Sequence, residues 1–561
     1  MAKTNDTLIK LNSIVRGETL GEKSSYIVIS NAYIYACRNN LIYYKDDELL
    51  TTAYKMNEYV SSEAVERLND LYNAIGLDGI RNLIYDLLSG KYNEPKSFTE
   101  SSSNYISELA NDLLEIDGTE NIVMDFGSGT GNFLANVYKK ACENKIVLKD
   151  LIGIEINIEQ AHISQMALSV LSDGSVNPRI IIGNSLEKVS YTYTKAYVFP
   201  PLGLRKLLNS EFRKSFLFQD IYLSNRNTAE WVFIDSMLSG FSVERAVALV
   251  SGKALFSIAD IEYRNKLISS GWLEGIIELP VGSLSFVGTK VYMLIFSNNN
   301  KKVKFVDASN VIDVENKRYV NLELPVKKIK DIYYSKDAKT KTIDELIDTQ
   351  NLCPSIITLN VKEIKNGVEL KELAKVLTGN QYTLGVFENK GLISEQKTGY
   401  KILTSSDIEN GMVRWELLKS VYIKDNKFDK FAVQYGDVIV TSKSSKVKTV
   451  VIDIEPKEKI IVTGGMLIVR PQLDKLNSTY LKMFLDSETG QSILKSVQKG
   501  TFVVTITASS LATIKIPMID ITKQQEKAEK YNEKISTITA YKQEIERIEN
   551  SLKNLFEEED D

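Results

Sequence analysis

Asp125 ends an apolar run, Ile122-Val-Met-Asp125, and Gly127, Gly129 and Gly131 follow it directly. Glycines at alternate positions let a backbone turn come close to a ligand, because they reach positive φ and carry no Cβ to clash. Glu155 closes a second apolar run, Leu151-Ile-Gly-Ile-Glu-Ile156, and Asn184 follows a third, Ile180-Ile-Ile-Gly-Asn-Ser185. A strand-end carboxylate can accept both hydroxyls of a ribose. Carboxylate, glycine turn, second carboxylate and amide, in that order, read as a nucleoside-cofactor site at the carboxyl ends of a doubly wound sheet. Further along stands Val198-Phe-Pro-Pro-Leu-Gly203, which holds the sole Pro-Pro pair of the chain. Phe199 offers no hydrogen-bond acceptor there, and Leu202 offers no π face.

The elements that must position these residues alternate in type. Apolar runs expected as strands are Ile122–Asp125, Leu151–Ile156, Arg179–Ile182, Ala196–Phe199, Ala246–Val250, Gly275–Leu279 and Lys290–Phe296. Helical patterns lie between most of them, which implies a mainly parallel sheet. The last two runs have no helix between them and are expected as an antiparallel edge pair. Upstream, Val60–Tyr72 and Ile80–Leu88 carry apolar residues at three- and four-residue intervals, so residues 1–95 are expected to be a helical domain. Residues 96–300 form the cofactor domain and 301–367 a charged connector with some strand character. Residues 368–520 have short strands and polar turns. Residues 521–561 hold a long helix and an acidic tail. Apolar residues from Ala528 through Ile535, Ile538, Ile545, Ile548 and Leu552 make one continuous stripe, which implies a helical partner. The fold class is therefore α/β with a Rossmann-like sheet, followed by an α+β domain and a coiled-coil helix.

A chain of 561 residues exceeds a single core. Its three cysteines (Cys37, Cys142, Cys353) are scattered, giving neither a disulfide framework nor a metal cluster, and its single histidine, His162, excludes most His-based catalysis. No metal site is expected. No run of roughly 20 apolar residues is available to span a bilayer, and the first residues lack a signal-peptide core. A cytoplasmic protein without a membrane partner is the expectation. Net charge is −4, yet Lys plus Arg outnumber Asp plus Glu by 23 to 18 in residues 361–520, against 39 to 44 before them and 7 to 11 after. Phosphate contact needs local positive charge, so the middle segment is the DNA-facing candidate. Lys443, Lys446 and Lys448, set among hydroxyls, are its most concentrated lysines; such a loop is also a common solvated surface feature.

These features together resemble the adenine-specific DNA methyltransferases typified by the modification subunits of type I restriction systems. Thr228-Ala-Glu-Trp-Val-Phe-Ile-Asp-Ser-Met-Leu238 resembles that family's helix after the catalytic loop, and Glu278–Leu284 and Val287–Phe296 its last two strands. The resemblance implies S-adenosylmethionine as cofactor, with Phe98 and Thr99 flanking its methionine moiety, Asp125 and the glycines at the methionine end, Glu155 on the ribose and Asn184 on the adenine. It also implies that Phe199, Pro200, Pro201 and Leu202 stand in the catalytic loop, where the family carries Asn-Pro-Pro-aromatic. There the Asn and a Pro carbonyl accept the amine hydrogens of a flipped adenine, and the aromatic ring stacks on the base. Residues 368–556 resemble half of a specificity subunit, a target-recognition domain with its long helix.

Two readings stay open: a fused modification–specificity enzyme, and a non-catalytic DNA-binding subunit that supports a separate methyltransferase or defence complex. Either implies double-stranded DNA as partner and pairing of the C-terminal helix with a second copy or a paralogous subunit. No nuclease constellation is evident, so cleavage would come from a separate restriction subunit.

Overall fold

In the computed structural model, the residues described are 11, 14, 24–58, 60–89, 104–118, 121–188, 190–204, 208, 212–284, 290–312, 323–336, 338–359, 364–396, 398–409, 411–423, 426–443, 447–498 and 505–554. Phe98, Thr99 and Lys446 lie outside them. The chain divides into two compact units, Met1–Thr358 and Leu359–Asp561.

Unit 1 opens with helices α1 (Ser24–Arg38), α2 (Asp47–Met56), α3 (Ser62–Leu88) and α4 (Asn104–Leu114). Both helical patterns of residues 60–88 fall within α3, which kinks at Gly76, where φ is +66°. There follow β1 (Asn121–Phe126), α5 (Asn132–Asn144), β2 (Leu148–Glu155), α6 (Ile158–Leu171), β3 (Pro178–Ile182) and β4 (Lys195–Val198). A small hairpin, β5 (Phe212–Lys214) with β6 (Tyr222–Ser224), leads to α7 (Ala229–Leu238), β7 (Arg245–Ser251) and α8 (Ile261–Ser269). The unit finishes through β8 (Leu273–Glu278), β9 (Val291–Ser297), β10 (Lys302–Asp307), α9 (Val326–Tyr334) and β11 (Lys339–Thr342).

All seven expected strands are present, in a nine-stranded sheet of order β11-β10-β8-β9-β7-β4-β1-β2-β3. The run from β7 to β3 is parallel. β9 is antiparallel to both β7 and β8. The β8–β9 pair is thus antiparallel as expected but is not an edge. β10 adds to β8 in parallel and β11 closes the sheet beyond it, so the charged stretch after residue 300 supplies two strands. Charge reduced them to some strand character in the sequence. Lys302 and Lys304 of β10 and Lys339 of β11 alternate with apolar or small neighbours at this end of the sheet, where β11 is the edge.

Successive side chains on a strand point to opposite faces, and the core divides accordingly. Val123, Tyr197 and Val247 join one buried cluster with α1 and α3 to α6; their neighbours Met124, Ala196 and Ala246 join a second with α7 and α8. A sheet covered on both faces leaves the carboxyl ends of its strands as the place for a site.

Unit 2 is built from short strands. One four-stranded sheet contains Ala374–Thr378, Met466–Pro471, Val438–Thr441 and Thr449–Val451; another contains Ile393–Ser394, Ser420–Val421, Tyr400–Leu403 and Lys459–Val462. The first is pinned by Arg470, whose fork donates to both oxygens of the fully buried Asp437 at 2.8 Å. The C-terminal helix runs from Ile521 to Asn554. Its first turns dock on the helix Ser478–Asp486: Gln524 accepts from the Asn477 amide at 3.0 Å, and Ala528 is buried. Further along, Ile538, Tyr541, Ile545, Ile548 and Leu552 are all exposed.

Candidate active site

Asp125, the glycine turn and Glu155 converge at the carboxyl ends of β1 and β2. The turn is fastened to β2, since the Gly127 and Ser128 amides both donate to the Ile154 carbonyl, at 3.0 and 2.9 Å. All three glycines have positive φ: +112° at Gly127, +52° at Gly129 and +91° at Gly131. A Cβ at Gly131 would lie 2.5 Å from Ser164 Oγ on α6, whereas one at Gly127 would meet nothing within 4 Å. The turn thus packs closely on one side and leaves free space on another.

Glu155 is buried, and both its oxygens are engaged: Oε2 accepts from the Gly129 amide at 2.8 Å and Oε1 from the Asn157 amide at 2.7 Å. Each oxygen keeps a further lone pair. Asp125 is also buried, and its Oδ1 has no hydrogen-bond partner. Burial, and then the charge of Glu155, hold its carboxyl well above the usual carboxylate range. A buried carboxyl with an unmet oxygen beside a second carboxylate is a demand for a donor or a cation. Asn184 is exposed after β3, and its Oδ1 accepts from the Leu186 amide at 3.0 Å.

The loop after β4 is of different character. Pro200 is buried, Pro201 is exposed, and Phe199 and Leu202 are half-buried. Both apolar side chains pack against the cluster that contains Leu279, Leu284 and Val291. In the same cluster Phe133, at the start of α5, stacks on Tyr197 of β4 with ring centroids 4.1 Å apart. Phe199 and Leu202 thus give the loop an apolar face.

Gln160 and Tyr26 did not stand out from spacing. Gln160 on α6 lies near Gly129 and beside Tyr26 of α1, whose hydroxyl burial raises above its ordinary pKa. Glu155 bears on the same tyrosine. Asn157, which caps α6 through the Gln160 amide, was the available signal for a helix start, but nothing in sequence tied Tyr26 to it. In unit 2, Lys443 is exposed, while Lys448 donates its ammonium to the carbonyls of Ser405 and Ile408 at 3.2 and 3.0 Å. The structure does not bring these lysines together as a free cluster. Among the described residues, no group of His, Cys, Asp and Glu has the arrangement of a metal site, and no helix is long and apolar enough to cross a membrane.

A doubly covered, mostly parallel sheet with a glycine turn at β1 and an acidic end to β2 defines a class I S-adenosylmethionine-dependent methyltransferase fold. Within that class, the chain belongs to the N-6 DNA Methylase family, whose model matches residues 86–372. Among solved structures it is similar to a chain from the type I R-M system, with a TM-score of 0.50 and 13% identity over 62% of this chain and 89% of that one. It also aligns with the type I restriction-modification methyltransferase subunit from Streptococcus thermophilus (TM-score 0.44, 13% identity, 63% of this chain and 98% of that one). The type IIG restriction endonuclease BpuSI aligns over 94% of this chain and 75% of its own, with a TM-score of 0.44 and 13% identity. No curated protein matches.

The cofactor of the family is S-adenosylmethionine, which supplies an electrophilic methyl group on sulfonium. The residues present fit it. The unmet Asp125 oxygen and the Glu155 carboxylate suit its cationic and hydroxyl groups, and the space beside Gly127 admits them.

Proposed function

We propose that this protein binds S-adenosylmethionine through unit 1, reads duplex DNA through unit 2, and transfers no methyl group to adenine by itself. One observation carries the last clause: Phe199 and Leu202 are turned into an apolar cluster where the chemistry needs a hydrogen-bond acceptor and a stacking ring. Losing one polar partner from a preorganised site costs about 3 kcal/mol or more, and losing a stacked ring roughly 1–3 kcal/mol further. Asp125 then faces the methionine end, Glu155 accepts the ribose hydroxyls and Asn184 borders the adenine, with Phe98 and Thr99 closing the methionine side. Pro200 and Pro201 keep the shape of the loop, and Leu202 gives it apolar bulk in place of a stacking ring.

Support for the second unit comes from its resemblance to half of a specificity subunit and from its excess of positive charge, 23 to 18 over residues 361–520. Such a half is completed by a second copy of this chain or by a paralogous subunit along the exposed stripe Ile538–Leu552. The context is restriction-modification or phage defence, with any cleavage supplied by another subunit. The test is tritiated S-adenosylmethionine with DNA that lacks adenine methylation, given to the protein alone and then with its genomic neighbours. Incorporation only in the second case is expected; incorporation by the protein alone would establish an active stand-alone enzyme.

A further inference from the structure

In unit 2, Tyr382, Phe387 and Phe428 pack ring against ring, with centroids 5.5 Å apart (Tyr382–Phe387), 5.8 Å (Tyr382–Phe428) and 6.2 Å (Phe387–Phe428). Lysines lie over this group and its neighbours. Lys390 Nζ is 4.3 Å from the Tyr382 ring centroid and donates to the Tyr382 hydroxyl at 3.0 Å. Lys427 lies 5.7 Å from the Phe428 ring, Lys430 5.0 Å from Phe431 and Lys459 5.3 Å from Tyr400. All four lysines are exposed, as is Lys419 nearby. Among the described residues, the acids paired with these lysines are Asp429, bound to Lys459 at 2.6 Å, and Glu388, bound to Lys419 at 3.0 Å. Five lysines less two carboxylates leave an excess of three positive charges.

A free lysine loses rotamer entropy when a phosphate fixes it. A lysine already held over a ring has lost part of that freedom beforehand, so less is lost on binding. That distinguishes this face from the loop at 443–448, where Lys448 is committed to backbone carbonyls.

We propose that the aromatic–lysine face formed by Tyr382, Lys390, Lys427, Phe428 and Lys430 is the surface on which unit 2 holds the phosphate backbone of duplex DNA. This rests on the reading of unit 2 as a DNA-recognition unit. The rings hold the ammonium groups in a fixed array, and the array neutralises successive phosphates and sets register without reading sequence.

The test is fluorescence anisotropy of the full-length protein on a labelled pool of random-sequence duplexes across a salt series, with Lys390→Gln/Lys427→Gln/Lys430→Gln compared to wild type. Each phosphate contact contributes about 0.9 to the slope of log affinity against log salt. The triple variant should lose at least tenfold in affinity at low salt, and its slope should fall by about 2 to 3. Lys443→Gln should change affinity less than twofold. Should the triple variant melt early, Lys427→Gln alone is read in the same way, with a slope loss of about one. A folded triple variant that keeps the wild-type slope overturns this face while leaving DNA recognition by unit 2 intact. A wild-type chain that binds no duplex overturns that recognition, and this proposal with it.

Discussion

Asp125 and Glu155 finish adjacent parallel strands, both buried, and the charge of Glu155 adds to burial in raising the Asp125 carboxyl. The pair is therefore arranged to accept positive charge, and its cost to the ligand-free protein depends on pH.

Asp125 has a higher pKa in the folded chain than in the unfolded one, so the folded state holds its proton to higher pH. Its contribution is fully present below the ordinary carboxylate range and is lost as pH rises through the raised value. Asp125→Asn removes this dependence. The variant should unfold at higher urea than wild type at pH 8, by on the order of 1–2 kcal/mol for a buried group relieved of its charge, and the two should converge near pH 4. Parallel curves across that range would remove Asp125 as the source.

Glu155→Ala deletes the acceptor of the Gly129 and Asn157 amides and, on the proposed assignment, the ribose contact. Affinity for S-adenosylmethionine should fall at least tenfold, in line with roughly 1.5–3 kcal/mol for a charge-assisted hydrogen bond. Isothermal calorimetry measures it. Unchanged affinity would show that the ribose lies elsewhere.

Phe199→Asn/Leu202→Tyr restores an acceptor and a ring to the loop but withdraws apolar surface from the cluster that contains Leu279 and Val291. Stability should drop by about 1–3 kcal/mol while cofactor binding persists. Tritium transfer to unmethylated DNA should rise from background. A folded, cofactor-binding variant that still transfers nothing would clear these two positions of responsibility.

Ile545→Glu/Leu552→Glu sets two charges into the exposed stripe of the C-terminal helix, far from the turns buried against Ser478–Asp486. In the full chain, light scattering should give a dimer mass for wild type and a monomer mass for the variant. A wild-type monomer at micromolar concentration, with and without DNA, would count against a paired helix.

Strand positions were legible where apolar runs are uninterrupted, and all seven expected strands, from Asn121–Phe126 to Val291–Ser297, lie where their runs suggested. β10 and β11 showed only as some strand character, because alternating lysines interrupt the apolar signal at this end of the sheet, where β11 is the edge. Asp125, the glycines and Glu155 were legible together because one short turn brings them side by side. Tyr26 was not, since about 130 residues and a helix-on-helix contact separate it from Glu155. Lys448 shows what spacing leaves out: two carbonyls distant in sequence accept from its ammonium.

The three glycines of the turn would not decay alike if a descendant of this chain ceased to use its cofactor. Gly131 is confined by Ser164 and Gly127 by a φ of +112°, so the folded chain itself would continue to select both. Gly129 has a φ of +52°, in the region that asparagine also visits, and a Cβ there would stand 3.9 Å from its nearest neighbour, the Gln160 side-chain oxygen. Drift at residue 129, with 127 and 131 retained, is therefore the mark by which relatives that have abandoned the ligand can be told from those that still hold it.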